Sequence, residues 1–463
     1  MSDDRTDRLR GLPAVHELAA ALEEAVPEAS PAALREACRN AVAEERKRIL
    51  AGEEPSPTDV LLEAAASILG ALGSSSMEDV INATGVILHT ALGRACLPES
   101  AVQGVTRVAR GYSVLQWDRQ TGRRGHRDTH VEDLICTLTG AEAATLANNN
   151  AGATMLILSA LARGREVIVS RGQLVEIGGA FRIPDVMRQS GAVMREVGCT
   201  NRTHLRDYRE AICDDTAAIL RVHPSNYVMK GFTGEVALED LVALGEEHGI
   251  PVLDDLGAGS LVDLAEFGLP SEPTVRSSIE AGAAIVTSSG DKLIGGPQAG
   301  IITGRTEYVA RVRKHPLARA LRVGKLTISA LEATLKLFLE GPEYLSMHHP
   351  VYRMLARNQD ELKSDALALA ADLALPEGCS ASVIATDSYT GSGALPDHSI
   401  PSWGVAVSCP DPEALGLALR LGKPAVASRI ECGVLKLDMR TIQPGELGAL
   451  ASLTSAAAEG LWA

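Results

Sequence analysis

Four short stretches of the 463-residue chain place polar groups just where apolar runs stop. In "AAIVTSSGDKLIGGPQAG" (283 to 300) a single amine, Lys292, follows an apolar run rich in β-branched residues and precedes a glycine-proline-glycine turn. Such a run reads as a buried parallel strand, and ligands of open α/β sheets bind outside the carboxyl ends of those strands. An amine there is placed for chemistry with whatever binds; a solvated loop lysine is the other reading. "LANNNAGATMLILSALA" (146 to 162) sets Asn148, Asn149 and Asn150 before a helix that opens on small residues, Ala151 first. Free N–H groups at a helix start attract an anion, and a phosphate fits; a plain asparagine cap is the other reading. "IPVLDDLGAGSLVDL" (250 to 264) ends a strand on Asp254 and Asp255, either of which can hold a protonated ring nitrogen or cap the glycine turn. "RVHPSNYVMKGFTG" (221 to 234) supplies His223, Ser225, Asn226 and Tyr227 as partners for a phenolic oxygen or a substrate.

These loops need a scaffold, and the rhythm of the chain describes one. Residues 1 to 70 are helical in pattern, with Ser30 and Pro31 at a helix start, and the Gly/Ser patch "GALGSSS" (70 to 76) reads as a linker. From 71 to 330, short apolar runs such as "AAILRV", "IPVLDD" and "AAIVTSS" alternate with amphipathic stretches, as in βα units on a mostly parallel sheet. Residues 331 to 463 open on a helical run, "SALEATLKLFLEG", then mix strands and helices, which predicts a smaller α+β domain.

Composition narrows the function classes. Hydrophobic residues at 46% and charged residues at 22% fit a soluble globular protein. No apolar run is long enough to span a bilayer, and "MSDDRTDRLR" is charged where a secretory signal is apolar, so a cytoplasmic protein without a membrane partner is expected. A net charge of −15 argues against a protein that coats DNA or RNA by bulk electrostatics, although it permits a local basic groove. The eight cysteines form no C-x-x-C pair, so no metal site is expected and reduced, mostly buried thiols are.

A helix-start phosphate site, a carboxylate, an asparagine and a later strand-end lysine follow one another in the chain order of fold-type I pyridoxal-phosphate enzymes. The sequence also resembles a particular family, bacterial selenocysteine synthase (L-seryl-tRNA(Sec) selenium transferase). The resemblance rests on "INATGVILHTALGRA" (81 to 95), "TGRRGHRDTHVEDL" (121 to 134), "SRGQLVEIGGAFRIPDV" (170 to 186), "EVGCTNRTHL" (196 to 205), "DLGAGSLVDL" (255 to 264), "SGDKLIGGPQAGII" (289 to 302) and "ARALRVGKLTISALEATL" (318 to 335). It departs at Ala91, Cys199, Ala258 and Gly324, where Asn, Thr, Ser and Asp are expected.

The resemblance implies pyridoxal 5'-phosphate held by Lys292, Asp255, Asn226, Asn150, Ala151 and Gly296, with Lys292 in Schiff-base linkage. It implies conversion of seryl-tRNA(Sec) to selenocysteinyl-tRNA(Sec) through an aminoacrylyl intermediate that accepts selenium from selenophosphate. Arg94, Arg127, Arg319 and Arg322 match the family's donor-binding and active-site arginines, and Asp291 stands beside the lysine in the same pattern. It further implies an N-terminal tRNA-binding domain and a large ring-shaped homo-oligomer, a decamer, with active sites shared between neighbours. Two competing readings are a related pyridoxal-phosphate lyase or aldolase acting on a small amino acid or amino sugar phosphate, and a non-catalytic protein that kept the fold. The N-terminal 70 residues speak against the first, since a small substrate has no use for them; retention of Lys292, Asp255 and the four arginines speaks against the second.

Overall fold

The computed structural model describes residues 8–73, 75–179 and 181–463. Contacts divide the chain into two units, Met1–Asp79 and Val80–Ala463. The first is built around helices α1 (Val15–Ala25), α2 (Pro31–Leu50) and α3 (Thr58–Gly73). Ser30 caps α2 by accepting from the Ala33 N–H at 3.2 Å, with Pro31 in the first turn. Leu34, Ala37, Cys38, Ala41 and Val42 recur on one face of α2 and close a core with Leu18, Leu22, Leu61 and Leu69. Helix α3 runs to Gly73, so Gly70 to Gly73 of the expected linker form its last turn, and Ser74 lies outside the described residues.

The second unit is built on a seven-stranded sheet. In chain order its strands are β1 (Ala143–Ala147), β2 (Glu166–Ser170), β3 (Val193–Val197), β4 (Thr216–Val222), β5 (Val252–Gly257), β6 (Ile285–Ser289) and β7 (Gly300–Gly304). In space they run β1-β7-β6-β5-β4-β2-β3, with β7 antiparallel to both neighbours and the pairings from β6 through β3 parallel. Strands β5 and β6 are covered on both faces, which is why they read as continuous apolar runs and not as alternating ones. Helix α4 (Asn150–Leu161) lies on this sheet, buried along Ala153, Leu156, Ile157 and Leu158.

A boundary at 330/331 falls inside α5 (Lys325–Leu337), whose Leu331 and Leu335 share a core with Leu293 and Ile301. The C-terminal core begins further on, at Leu362, and takes in Ile81 and Ala83 from the start of the unit. It packs on a four-stranded sheet containing β8 (Ser380–Gly391) and β9 (Ala394–Ser408). Arg440, 1% exposed, ties this part to the segment before it by donating to the carbonyls of Met354, Leu355 and Arg357 there and of Pro401 in β9. Burial pulls its guanidinium down to about 10. The eight cysteines are free, but only Cys38 is buried, and Cys96, Cys199, Cys213 and Cys432 are exposed. The expectation of mostly buried thiols is corrected accordingly: Cys96, Cys199 and Cys432 stand outside helices and strands and Cys213 just past a short helix.

Candidate active site

Side chains alternate across β5, so the adjacent aspartates point to opposite faces. Asp254, fully buried, turns to Arg221 at 3.0 Å and to the Ser278 hydroxyl at 2.7 Å. Asp255 turns to the start of α4 and accepts from Asn150 Nδ2 at 2.8 Å, Thr154 Oγ1 at 3.0 Å, Thr287 Oγ1 at 3.1 Å and the Gly257 N–H at 3.2 Å. All four donors are neutral. Burial pushes the Asp255 carboxyl above its ordinary value, and those donors only partly oppose it. Among the described residues no cation hydrogen-bonds to this carboxylate.

Lys292 leaves β6 in a turn held by bonds from Gly290 N to Ala299 O (2.8 Å), Gly295 N to Lys292 O (2.8 Å) and Gly296 N to Gly290 O (2.7 Å). Gly295 has φ 66°, and a Cβ there would lie 2.1 Å from His349 Cε1, so only glycine fits. Two buried side chains pin the turn from outside: the Tyr352 hydroxyl donates to Leu293 O at 2.8 Å, and His349 Nε2 meets Ile294 O at 3.1 Å. The lysine is 9% exposed. Burial lowers its pKa, Asp255 opposes that, and Arg94 reinforces it. An amine so placed gains the neutral, nucleophilic form more readily than a solvated one.

At the head of α4, Asn149 is the cap, accepting from the Gly152 N–H at 2.8 Å. The backbone N–H groups of Asn150 and Ala151 have no acceptor among the described residues, and Asn150 Oδ1 is buried without a partner. Gly300 lets the helix approach β7 closely, since a Cβ there would meet Asn149 O at 2.2 Å. The helix start is therefore open toward an anion on the same side as Asp255.

The arginines fall into two groups. Arg94 (φ 66°) pairs with Asp291 at 2.6 Å beside a cavity of about 370 Å³ that Gly296 also lines. Arg127, Arg319 and Arg322 line a separate cavity of about 550 Å³ with Arg124 and Arg313. Burial lowers the pKa of Arg127, the neighbouring Arg322, Arg124 and Arg319 charges lower it further, and Asp128, which lines the same cavity, only partly opposes them. Asn226 is exposed, and its amide donates to the Glu176 carbonyl at 2.9 Å. The residue beside it that turns inward is Ser225, 2% exposed. Thr154 and Thr287 were not singled out in the sequence; a threonine mid-helix and another mid-strand carry no local signal of a shared carboxylate. Of the departures, Gly324 is the N-cap of α5 and lacks a side-chain cap, so an aspartate's absence there removes a capping bond from the helix.

The sheet order with its one antiparallel strand, the buried carboxylate on β5 and the amine at the end of β6 define a fold-type I pyridoxal-phosphate enzyme. Within that class, the family model described as L-seryl-tRNA selenium transferase matches residues 80–443, and the chain belongs to this family. A relative in Geotalea daltonii, named L-seryl-tRNA(Sec) selenium transferase, is 50% identical over 386 residues, covering 82% of this chain and 83% of its own. One of the same name in Methylocella silvestris is 44% identical over a 470-residue alignment covering 100% of both chains. Among solved structures, D-glucosaminate-6-phosphate ammonia-lyase superposes with a TM-score of 0.57 at 22% identity, over 85% of this chain and 98% of that one, a likeness of fold alone. No helix among the described residues is long and apolar enough to cross a membrane.

Proposed function

We propose that the chain converts L-seryl-tRNA(Sec) to L-selenocysteinyl-tRNA(Sec) with selenium from selenophosphate, and that Lys292 and Asp255 are the centre of that chemistry. The observation that carries the assignment is a buried amine and a buried carboxylate without a cationic hydrogen-bond partner on one side of a helix start with two free N–H groups. Those groups match the amine-reactive carbonyl, the basic ring nitrogen and the phosphate of pyridoxal phosphate. When bound, the cofactor supplies an electron-withdrawing ring that stabilises negative charge at the serine α-carbon.

Asn150 and Ala151 would hold the phosphate through their N–H groups, with Gly300 keeping the backbone close, and Gly296 would border the cofactor from the cavity that Arg94 lines. Asp255 would keep the ring nitrogen protonated, and that proton in turn would relieve its own buried charge. Lys292, once released by the seryl amine, would take the α-proton through Nζ, since burial lowers its pKa and so favours the uncharged amine. Arg94 and Asp291 would border the seryl hydroxyl as it leaves. Arg127, Arg319 and Arg322 would bind selenophosphate, a tetrahedral oxyanion suited to guanidinium forks. The two arginine groups line different cavities of one chain, and a ring-shaped homo-oligomer, a decamer by resemblance, would join them if its active sites are shared between neighbours. The N-terminal helices would hold the tRNA, and the reaction would take place in the cytoplasm.

Transfer of labelled selenium from selenophosphate to seryl-tRNA(Sec) tests the reading. Arg127→Ala should raise the selenophosphate concentration needed for half-maximal rate by about ten- to 150-fold, since a charged hydrogen bond contributes about 1.5–3 kcal/mol, and leave tRNA binding unaltered. Equal loss of both would assign the cluster to the RNA terminus.

A further inference from the structure

We infer that Ser225 is a further cofactor-positioning residue, its hydroxyl donating to the phenolic oxygen of the bound pyridoxal phosphate; the inference rests on the function proposed above. Ser225 is 2% exposed, and its Oγ is buried with no hydrogen-bond partner. A hydroxyl left so in a folded protein loses the bonds it makes to water, and such groups mark sites completed by something else.

Its surroundings say what completes it. The Cβ position built on Gly257 is 3.3 Å from Ser225 Oγ and 4.0 Å from Lys292 Nζ, so hydroxyl and amine border one space. Gly257 has φ 63° and follows Asp255 by two residues, so the glycine turn both frees that space and sets it beside the carboxylate. The protein's own acceptors nearby are already occupied. The His223 carbonyl receives the Ser225 N–H at 2.8 Å, the Asp255 carbonyl receives the His223 N–H at 2.9 Å, and the Asp255 carboxylate has its four donors. In pyridoxal the phenolic oxygen sits on the ring carbon next to the one bearing the carbonyl that Lys292 attacks. A donor flanking the lysine therefore faces that oxygen. Asn226, exposed and bonded to the Glu176 carbonyl, does not compete for it.

The hydroxyl is held in place from the C-terminal part of the chain. The β8–β9 turn lays Gly393, φ 73°, over Ser225, where a Cβ would stand 3.0 Å from Ser225 O and 3.1 Å from Oγ. Ser392 Oγ anchors the same turn on Leu88 O at 2.5 Å, and Glu272 accepts from Leu395 N at 3.1 Å while meeting His223 Nε2 at 3.1 Å.

A pH titration of the visible absorbance of the holoenzyme reads the contact without turnover. A donor to the phenolic oxygen favours its ionised form and lowers the pKa of the adjacent C=N nitrogen joined to Lys292, whose other charged neighbours are Asp255, Arg94 and Asp291. Ser225→Ala should therefore move the titration midpoint up by about one to two pH units, the equivalent of one hydrogen bond to a charged group. Ser225→Thr, which keeps the hydroxyl, should restore it. If the alanine variant fails to fold, Ser225→Cys, a weak donor of similar size, should shift the midpoint in the same direction. An unmoved midpoint in a variant that holds cofactor would overturn the inference. No visible band in the unaltered protein would instead overturn the cofactor reading of the site, and this inference with it.

Discussion

Replacing each of the adjacent aspartates on β5 by asparagine should produce opposite failures. In Asp255→Asn the side chain keeps its shape, and one oxygen still accepts from Asn150, Thr287 and Gly257. The new NH2 then faces Thr154 Oγ1, which can accept from it once its proton turns from residue 255 to Asn150 O, 3.0 Å away. The folded chain loses little, about 1 kcal/mol or less, since burial opposes a charge at this position. Chemistry loses more. An amide does not hold the ring nitrogen's proton by charge, and forfeiting a charged hydrogen bond of about 1.5–3 kcal/mol slows α-proton removal about ten- to 150-fold. Asp254→Asn does the reverse: it strands Arg221, 14% exposed, without its carboxylate, and breaking a buried pair costs about 3 kcal/mol of stability. Exchange of the seryl α-hydrogen with deuterated solvent measures the first effect and thermal melting the second. Unchanged exchange in Asp255→Asn beside slowed exchange in Asp254→Asn would refute the face assignment.

The N-terminal unit should prove separable from the chemistry: removing residues 1–79 should leave the cofactor spectrum intact and abolish discrimination of the selenocysteine tRNA from serine tRNAs, in filter binding at matched salt. Arg39, Lys47 and Arg48 are already paired with Glu36, Glu44 and Glu45, which puts the weight of recognition on Arg35, Arg46 and shape. Acid sensitivity should trace in part to His349, which burial holds down at about 4 against an ordinary 6.5. Its folded-state value lies below the unfolded one, so its stabilisation is complete above about pH 6.5 and is lost as pH falls toward 4, by about 3 kcal/mol. His349→Gln, whose amide can still donate to Ile294 O, should flatten the fall in melting temperature across that window, and an equally steep fall would move the sensitivity elsewhere.

The strands that place the site were legible because they are buried on both faces: "AAILRV", "IPVLDD" and "AAIVTSS" fall on β4, β5 and β6. Helix α5 and the cap at Ser30 were legible for the same local reasons, periodicity and a capping residue. Strand β1, "AATLA", was not, since small residues carry no β signal, nor was β7, whose flanking glycines read as a turn. A buried strand shows no alternation, so the sequence could not distinguish Asp254 from Asp255; the register against α4 does. Ser225 was legible as one of four polar groups at a strand end, whereas Thr154 and Thr287 matter only through Asp255, 101 and 32 residues away. No local pattern reports such distances.

The central claim, that Lys292 carries the cofactor, is open to one direct measurement: borohydride reduction of the purified enzyme, proteolysis, and mass mapping of the modified peptide. The account predicts a pyridoxyl phosphate mass on Lys292 alone, absent from Lys292→Ala. The same mass on another lysine, or bound cofactor that no lysine retains after reduction, would contradict it.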